Sequence, residues 1–344
     1  MSEIKRLGFF TRLLDDAVPA ERYRLALEQI QVAELNGFDS AWVAQHHFSH
    51  DEGGLPSPLV FLAHVASRTS RIRLGTGIIT LPLEAPIRVA EDAAVLDALS
   101  GGRLELGVGS GGTPSSFPPF GLDSAQRGPL HGANLAVLRR ALSGEDLSAG
   151  NRLYPQGTGL VQRIWQATFS AEGGQRAGAA GDGLMLSRTQ PRPKDRLGAS
   201  LADLQQPIID AYLEALPAGI QPRILASRTL FVADEHATAL EWADLGLRRI
   251  AGHFQAAGHA PPGETLEELI RAFDTHVGDT SAVIDSLSQD PVLDRVTDIS
   301  FQVHSVDPPH ALILRSLELT AQVVAPALGW RSETALSPRI AAAS

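Results

Sequence analysis

The chain has 344 residues, no cysteine and a formal net charge of −10. The lack of cysteine excludes disulfides, thiolate metal centres, iron–sulfur clusters and cysteine nucleophiles; the acidic balance disfavours a nucleic-acid partner. With 44% hydrophobic and 20% charged residues the composition is that of a globular protein. No apolar run is long enough to span a membrane, and the one at 7–10 is too short for a signal peptide, so a cytoplasmic protein is expected.

Residues 7–10 read as a first strand. Apolar residues Leu25, Ala26, Ile30, Ala33 and Leu35 then recur at helical spacing over 21–36, and Gly37 is placed to end that helix. A strand at 38–44 follows, then a helix at 58–67 opened by Pro58, a strand at 72–80, a helix at 86–99 and a strand at 103–109. Further on, the pattern gives a helix at 130–142, strands at 163–169 and 183–187 flanking a helix near 174–180, strands at 223–232 and 298–304, and a closing helix at 311–325. The strands are short, continuously apolar and separated by helices, as in a parallel sheet buried on both faces. Eight strands favour closure into a (β/α)8 TIM barrel, an α/β fold with its active site at the carboxyl ends of the strands. Residues 1–330 are expected to form one domain and 331–344 a tail. Two Gly/Pro-rich stretches, 111–128 and 189–221, read as insertions over that face, the second as a lid.

Several motifs carry chemistry. Gly107, Gly109 and Gly112 fit the G-x-G-x-x-G dinucleotide pattern, and Leu104-Glu105-Leu106 before them suits an S-adenosylmethionine site. Both need a helix directly after the glycines, and Thr113-Pro114-Ser115-Ser116 does not start one. A methyltransferase also needs an acidic residue about 20 positions on, which 126–130 lacks. Backbone passing close to a flat ligand suits these glycines better. Gln45-His46-His47-Phe48 ends the second strand. Adjacent histidines on extended chain point to opposite sides, so one histidine facing a cavity as acid, base or hydrogen-bond donor is favoured over a metal pair. Ser170-Ala171-Glu172-Gly173 opens a helix whose amides suit a phosphate or an ordinary cap. Arg127 and Arg188 each suit an anion or a surface ion pair.

Four blocks taken together, residues 33–48, 69–82, 86–103 and 106–111, resemble the bacterial-luciferase-like flavin-dependent monooxygenases. The resemblance implies a barrel that binds reduced FMN, supplied by a separate NAD(P)H-dependent flavin reductase, and reacts with O2 through a flavin C4a-peroxide to oxidise a small organic substrate. It implies a homodimer and no metal. It implies His46 as the catalytic histidine, and a cofactor site of Gly77 and Ile78 (joined by a cis peptide in relatives), Gly109, Ser110, Arg127, Ser170, Ala171, Ser187 and Arg188. Three positions depart from the pattern. Gln45 replaces a usual glutamate, which removes a charge beside His46 and is expected to lower its pKa or shift substrate preference. Gly109 replaces the cysteine of luciferase. Arg188 replaces an aromatic residue and points to an anionic substrate or a firmer hold on phosphate. An F420-dependent oxidoreductase on the same barrel and a non-catalytic flavin-binding protein are the alternatives.

Overall fold

The computed structural model describes residues 4–157, 159–193, 195–196, 198–256, 263–303 and 307–331. In chain order the strands are β1 (Arg6–Thr11), β2 (Ser40–Val43), β3 (Arg73–Thr76), β4 (Ile79–Thr80), β5 (Leu104–Gly109), β6 (Ile164–Ala167), β7 (Gly183–Leu186), β8 (Ile224–Val232), β9 (Thr275–Gly278) and β10 (Asp298–Gln302). The helices are α1 (Pro19–Leu35), α2 (Pro58–Ala66), α3 (Pro86–Leu99), α4 (Arg127–Leu142), α5 (Ala171–Ala179), α6 (Leu201–Ala215), α7 (His236–Ala256), α8 (Leu266–Ala272), α9 (Thr280–Ser288), α10 (His310–Leu319) and α11 (Ala325–Ala327).

All pairings are parallel. They run β1–β2–β3–β5–β6–β7–β8–β10, and β10 pairs back onto β1 through Phe10 opposite Gln302. Counting β3 and β4 as one wall position, eight positions close the expected (β/α)8 barrel. Every strand residue of β2, β5, β7, β8 and β10 is buried, which explains their unbroken apolar runs. Inside the barrel, Trp42 and Trp165 meet edge to face at 5.7 Å. At the amino ends of the strands, Arg6 pairs with Asp298 and Arg73 with Glu105, which also accepts from the Trp165 indole. Among the described residues no helix is long and apolar enough to cross a membrane.

The structure corrects the sequence reading in four places. The strand expected at 72–80 is two strands, β3 and β4, separated by a cis Gly77–Ile78 bond. Gly75 is level with Glu105 but Ile79 with Val108, so one extra residue is accommodated. Thr76 Oγ1 covers the gap, donating to Gly107 O at 2.8 Å and accepting from Gly107 N at 2.9 Å. Second, the stretch 189–221 is not a lid throughout. Residues 201–215 are α6, the crossover helix between β7 and β8, packed on α5 where Gly174 and Gly178 face the Ile208 and Tyr212 carbonyls too closely for a Cβ. Third, 233–297, to which the sequence assigned no element, holds α7, α8, α9 and β9, which pairs with the carboxyl half of β8. Fourth, the closing helix passes through a π-helical turn at Thr320–Val324. The 111–128 stretch is indeed an inserted loop, made of three short 3-10 turns. Arg331, placed in the expected tail, is held by Asp39 at 2.6 Å. The rest of that tail, and His304 of the last expected strand, lie outside the described residues.

Candidate active site

The carboxyl ends of β2 and β4, the break before β4 and the 111–117 loop surround a cavity of about 140 Å³. Gln45, His46 and His47 line it from the end of β2, Gly77, Ile78 and Thr80 from the β3–β4 break, and Gly111, Gly112, Thr113, Ser116 and Phe117 from the loop. Gly77 lies on Phe10, where a Cβ would come 2.9 Å from the ring. Gly109 lies against Ile78, with room of only 3.0 Å to its Cδ1. Four predicted residues, His46, Gly77, Ile78 and Gly109, thus come together on one shelf, with Ser110 next along β5. His47 turns to the rim, edge-on to Phe120 at 5.1 Å.

His46 is the most perturbed histidine here. Its Nδ1 is buried without a hydrogen-bond partner, and its pKa falls to about 3 through burial first, then the positive charges of Arg12, His47 and Arg188. It is therefore neutral at physiological pH. Burial and these neighbouring cations, with no carboxylate among the described residues opposing them, set the low value. Gln45 donates to Pro56 O at 2.9 Å and to Glu84 Oε1 at 2.7 Å, and accepts from Thr80 N at 2.7 Å. The acidic group thus stands at Glu84, whose pKa burial raises despite the bond from Gln45.

The remaining predicted residues divide. Ser170 caps α5, its Oγ accepting from Gly173 N at 3.2 Å, and leaves Ser170 and Ala171 exposed at the helix start. Arg188 reaches toward β8 instead, donating to Thr229 Oγ1 at 3.2 Å. Ser187 gives its carbonyl to Gln205 at 2.7 Å. Arg127 begins α4 and is exposed, with no hydrogen bond to α5 among the described residues. Sequence reasoning passed over three residues. Arg12 follows β1 and shifts His46. Glu84 orients Gln45. His131 is buried on α4 against the Gly109 backbone, with a pKa lowered to about 4 by burial and Arg176. Only His131 left a signal, since it shares an apolar helical stripe with Leu135, Leu138 and Leu142.

Residues 7–295 match the family described as luciferase-like monooxygenase. The chain belongs to that family. This luciferase-like monooxygenase is 29% identical to the 4-hydroxyprotoasukamycin monooxygenase of Streptomyces nodosus subsp. asukaensis, over 92% of each chain. The oxygenating constituent of 3,6-diketocamphane monooxygenase from Pseudomonas putida, a type II Baeyer–Villiger enzyme solved with FMN, superposes with a TM-score of 0.69 at 19% identity, over 94% of this chain and 98% of that one. The coenzyme F420-dependent tetrahydromethanopterin reductase of Methanopyrus kandleri gives a TM-score of 0.66 at 20% identity, over 95% and 100%. These two structural likenesses establish the fold alone. The luciferase-like monooxygenase is thus a flavin-dependent oxygenase by family, with a barrel that also serves F420 enzymes.

Proposed function

We propose that this enzyme binds reduced FMN at the barrel mouth and uses O2 to oxygenate a small organic substrate. The observation that carries the reading is the cavity beside His46, lined by Gly77, Ile78, Gly111 and Gly112, into which a flat ring could enter, together with the buried His46 Nδ1, which has no partner among the described residues. Reduced FMN, when bound, supplies the two electrons that let one oxygen atom of O2 enter the substrate while the other leaves as water. Ser170 and Ala171 offer the phosphate the amides and dipole of α5, and Arg127, at the same face, adds a free cation. His46, neutral, keeps Nδ1 for a hydrogen bond to flavin or substrate and adds no charge that would draw water inward.

The diketocamphane relative is named as an oxygenating constituent, which supports a separate reductase as the source of reduced flavin. A homodimer suits the exposed apolar residues of α3, Val95 at 44% and Leu99 at 68% exposure, with Val60 of α2 at 72%. Anaerobic titration with reduced FMN, reduced riboflavin and reduced F420, followed by O2, tests the reading. FMN binding tighter than riboflavin, with rapid O2 uptake, is expected. Tight F420 binding without O2 uptake moves the enzyme to hydride transfer.

A further inference from the structure

Two arginines stand at the mouth without a carboxylate of their own. Arg12 directly follows β1. Phe10, two residues earlier, packs inside the barrel beside Trp42 and Trp165, so strand alternation carries Arg12 toward the interior above it. It makes no hydrogen bond or ion pair among the described residues; Glu52 acts on it only at longer range. Arg188 has a single bond, to Thr229 on β8. Its nearest acid, Asp274, is already held by both terminal nitrogens of Arg192, at 2.6 and 2.8 Å, and by Thr189. Thr229 is level with Gln302, and Gln302 with Phe10, so the anchor of Arg188 and the root of Arg12 are two strands apart on one wall. The charge of Arg12 disfavours that of Arg188, and both disfavour a charge on His46. Partly buried like charges this close are unfavourable unless an anion joins them.

The cofactor phosphate is the wrong anion for this pair. Its proposed cradle, the start of α5, follows β6, and β6 lies four steps round an eight-position barrel from β1, so Arg12 stands across the mouth from it; Arg188 follows the neighbouring β7 but its one hydrogen bond among the described residues turns it toward β8. We propose that Arg12 and Arg188 form an oxyanion site beside His46 that holds the carboxylate or sulfonate of a small organic substrate. The proposal rests on the flavin-pocket reading above for the oxidation itself, though not for binding of the anion. A planar guanidinium suits either group through paired N–H donors. Arg188, held from one side by Thr229, fixes the direction of approach, and Arg12, held by nothing, closes on the second oxygen. The site selects an anionic substrate and sets its charged end next to the His46 nitrogen that has no partner.

Calorimetry on the flavin-free enzyme without O2 tests this apart from any turnover. Benzoate and benzenesulfonate are expected to bind about tenfold or more tighter than neutral benzamide, a difference of ~1.4 kcal/mol. Arg12→Met and Arg188→Met should each abolish that preference, and Arg12→Lys and Arg188→Lys should retain part of it, with FMN and riboflavin affinities unchanged. Equal binding of benzamide, or Met variants that bind benzoate as wild type does, overturns the proposal. So do variants that weaken FMN while sparing riboflavin, since the arginines then serve the phosphate. Should the Met variants not fold, a wild-type crystal with 4-bromobenzoate decides: bromine density with the carboxylate on Arg12 and Arg188 supports the site, and its absence there overturns it.

Discussion

Replacing Gln45 with the glutamate usual in the family is the sharpest test of how the mouth is built. Gln45 is 7% exposed, and its amide nitrogen donates to Pro56 O and to Glu84 Oε1 at 2.7 Å. Gln45→Glu removes both donors and sets two carboxylates face to face. The bond lost to a charged acceptor is worth about 1.5–3 kcal/mol. Two like charges at ~4 Å repel by up to about 4 kcal/mol at an effective dielectric near 20. The pair escapes part of this by sharing a proton, which costs about 1.4 kcal/mol for each pH unit above the ordinary carboxyl pKa. A net loss of about 3–5 kcal/mol at pH 7.5 follows from these terms. The pair's folded pKa is raised above its unfolded value. The folded variant therefore binds more protons, and its deficit shrinks as the pH falls toward 5. Denaturant unfolding of wild type and variant at both pH values measures this. The exchanged pair Gln45→Glu with Glu84→Gln restores a donor opposite a carboxylate and should recover most of the loss. An equal deficit at pH 7.5 and 5, or an exchanged pair no better than the single variant, refutes the reasoning.

His46 has a folded pKa of about 3, below the ordinary 6.5, so its contribution to stability is full above 6.5 and lost as the pH falls toward 3. Accordingly kcat/KM should show no ionisation from His46 between pH 6 and 8, while His46→Asn lowers the rate by about 10²–10⁴ if the imidazole moves a proton; a limb near 6.5 that vanishes in the variant contradicts the assignment. Gly107→Ala would place a Cβ 2.0 Å from Thr76 O and should destabilise the barrel by at least ~1–3 kcal/mol, read as a lowered unfolding midpoint; wild-type stability would show that the β3–β5 contact is loose. Arg192→Ala frees Asp274 from a pair whose side chains are 16% and 11% exposed, so proteolysis within 189–200 should quicken while overall unfolding changes little. Unchanged cleavage would mean that other contacts hold that loop.

The local patterns of this sequence determined the barrel. All eight wall positions were marked by short apolar runs, and α2 and α3 by a proline at the first turn, because each signal concerns residues that are neighbours in the chain. The shelf residues His46, Gly77, Ile78 and Gly109 were implied by the family resemblance rather than by local pattern, and they come together because they lie at the ends of strands whose order along the chain is also their order round the wall. The β3–β4 break escaped notice, since the residue that bridges it, Thr76, is matched by Gly107 31 positions on. The added strand β9 left little local signal, being four residues long and held by pairing with the carboxyl half of β8, more than 40 positions earlier in the chain. Only closure of the barrel decided the charges. Arg12 and Arg188 are 176 positions apart, and the strands that carry them, β1 beneath Arg12 and β8 beneath the Thr229 anchor of Arg188, are both neighbours of β10. Gln45 and Glu84, 39 positions apart, share one proton-bearing contact for a like reason. Electrostatic fields depend on distance in space and on the water excluded, and a sequence carries neither until the strands have closed.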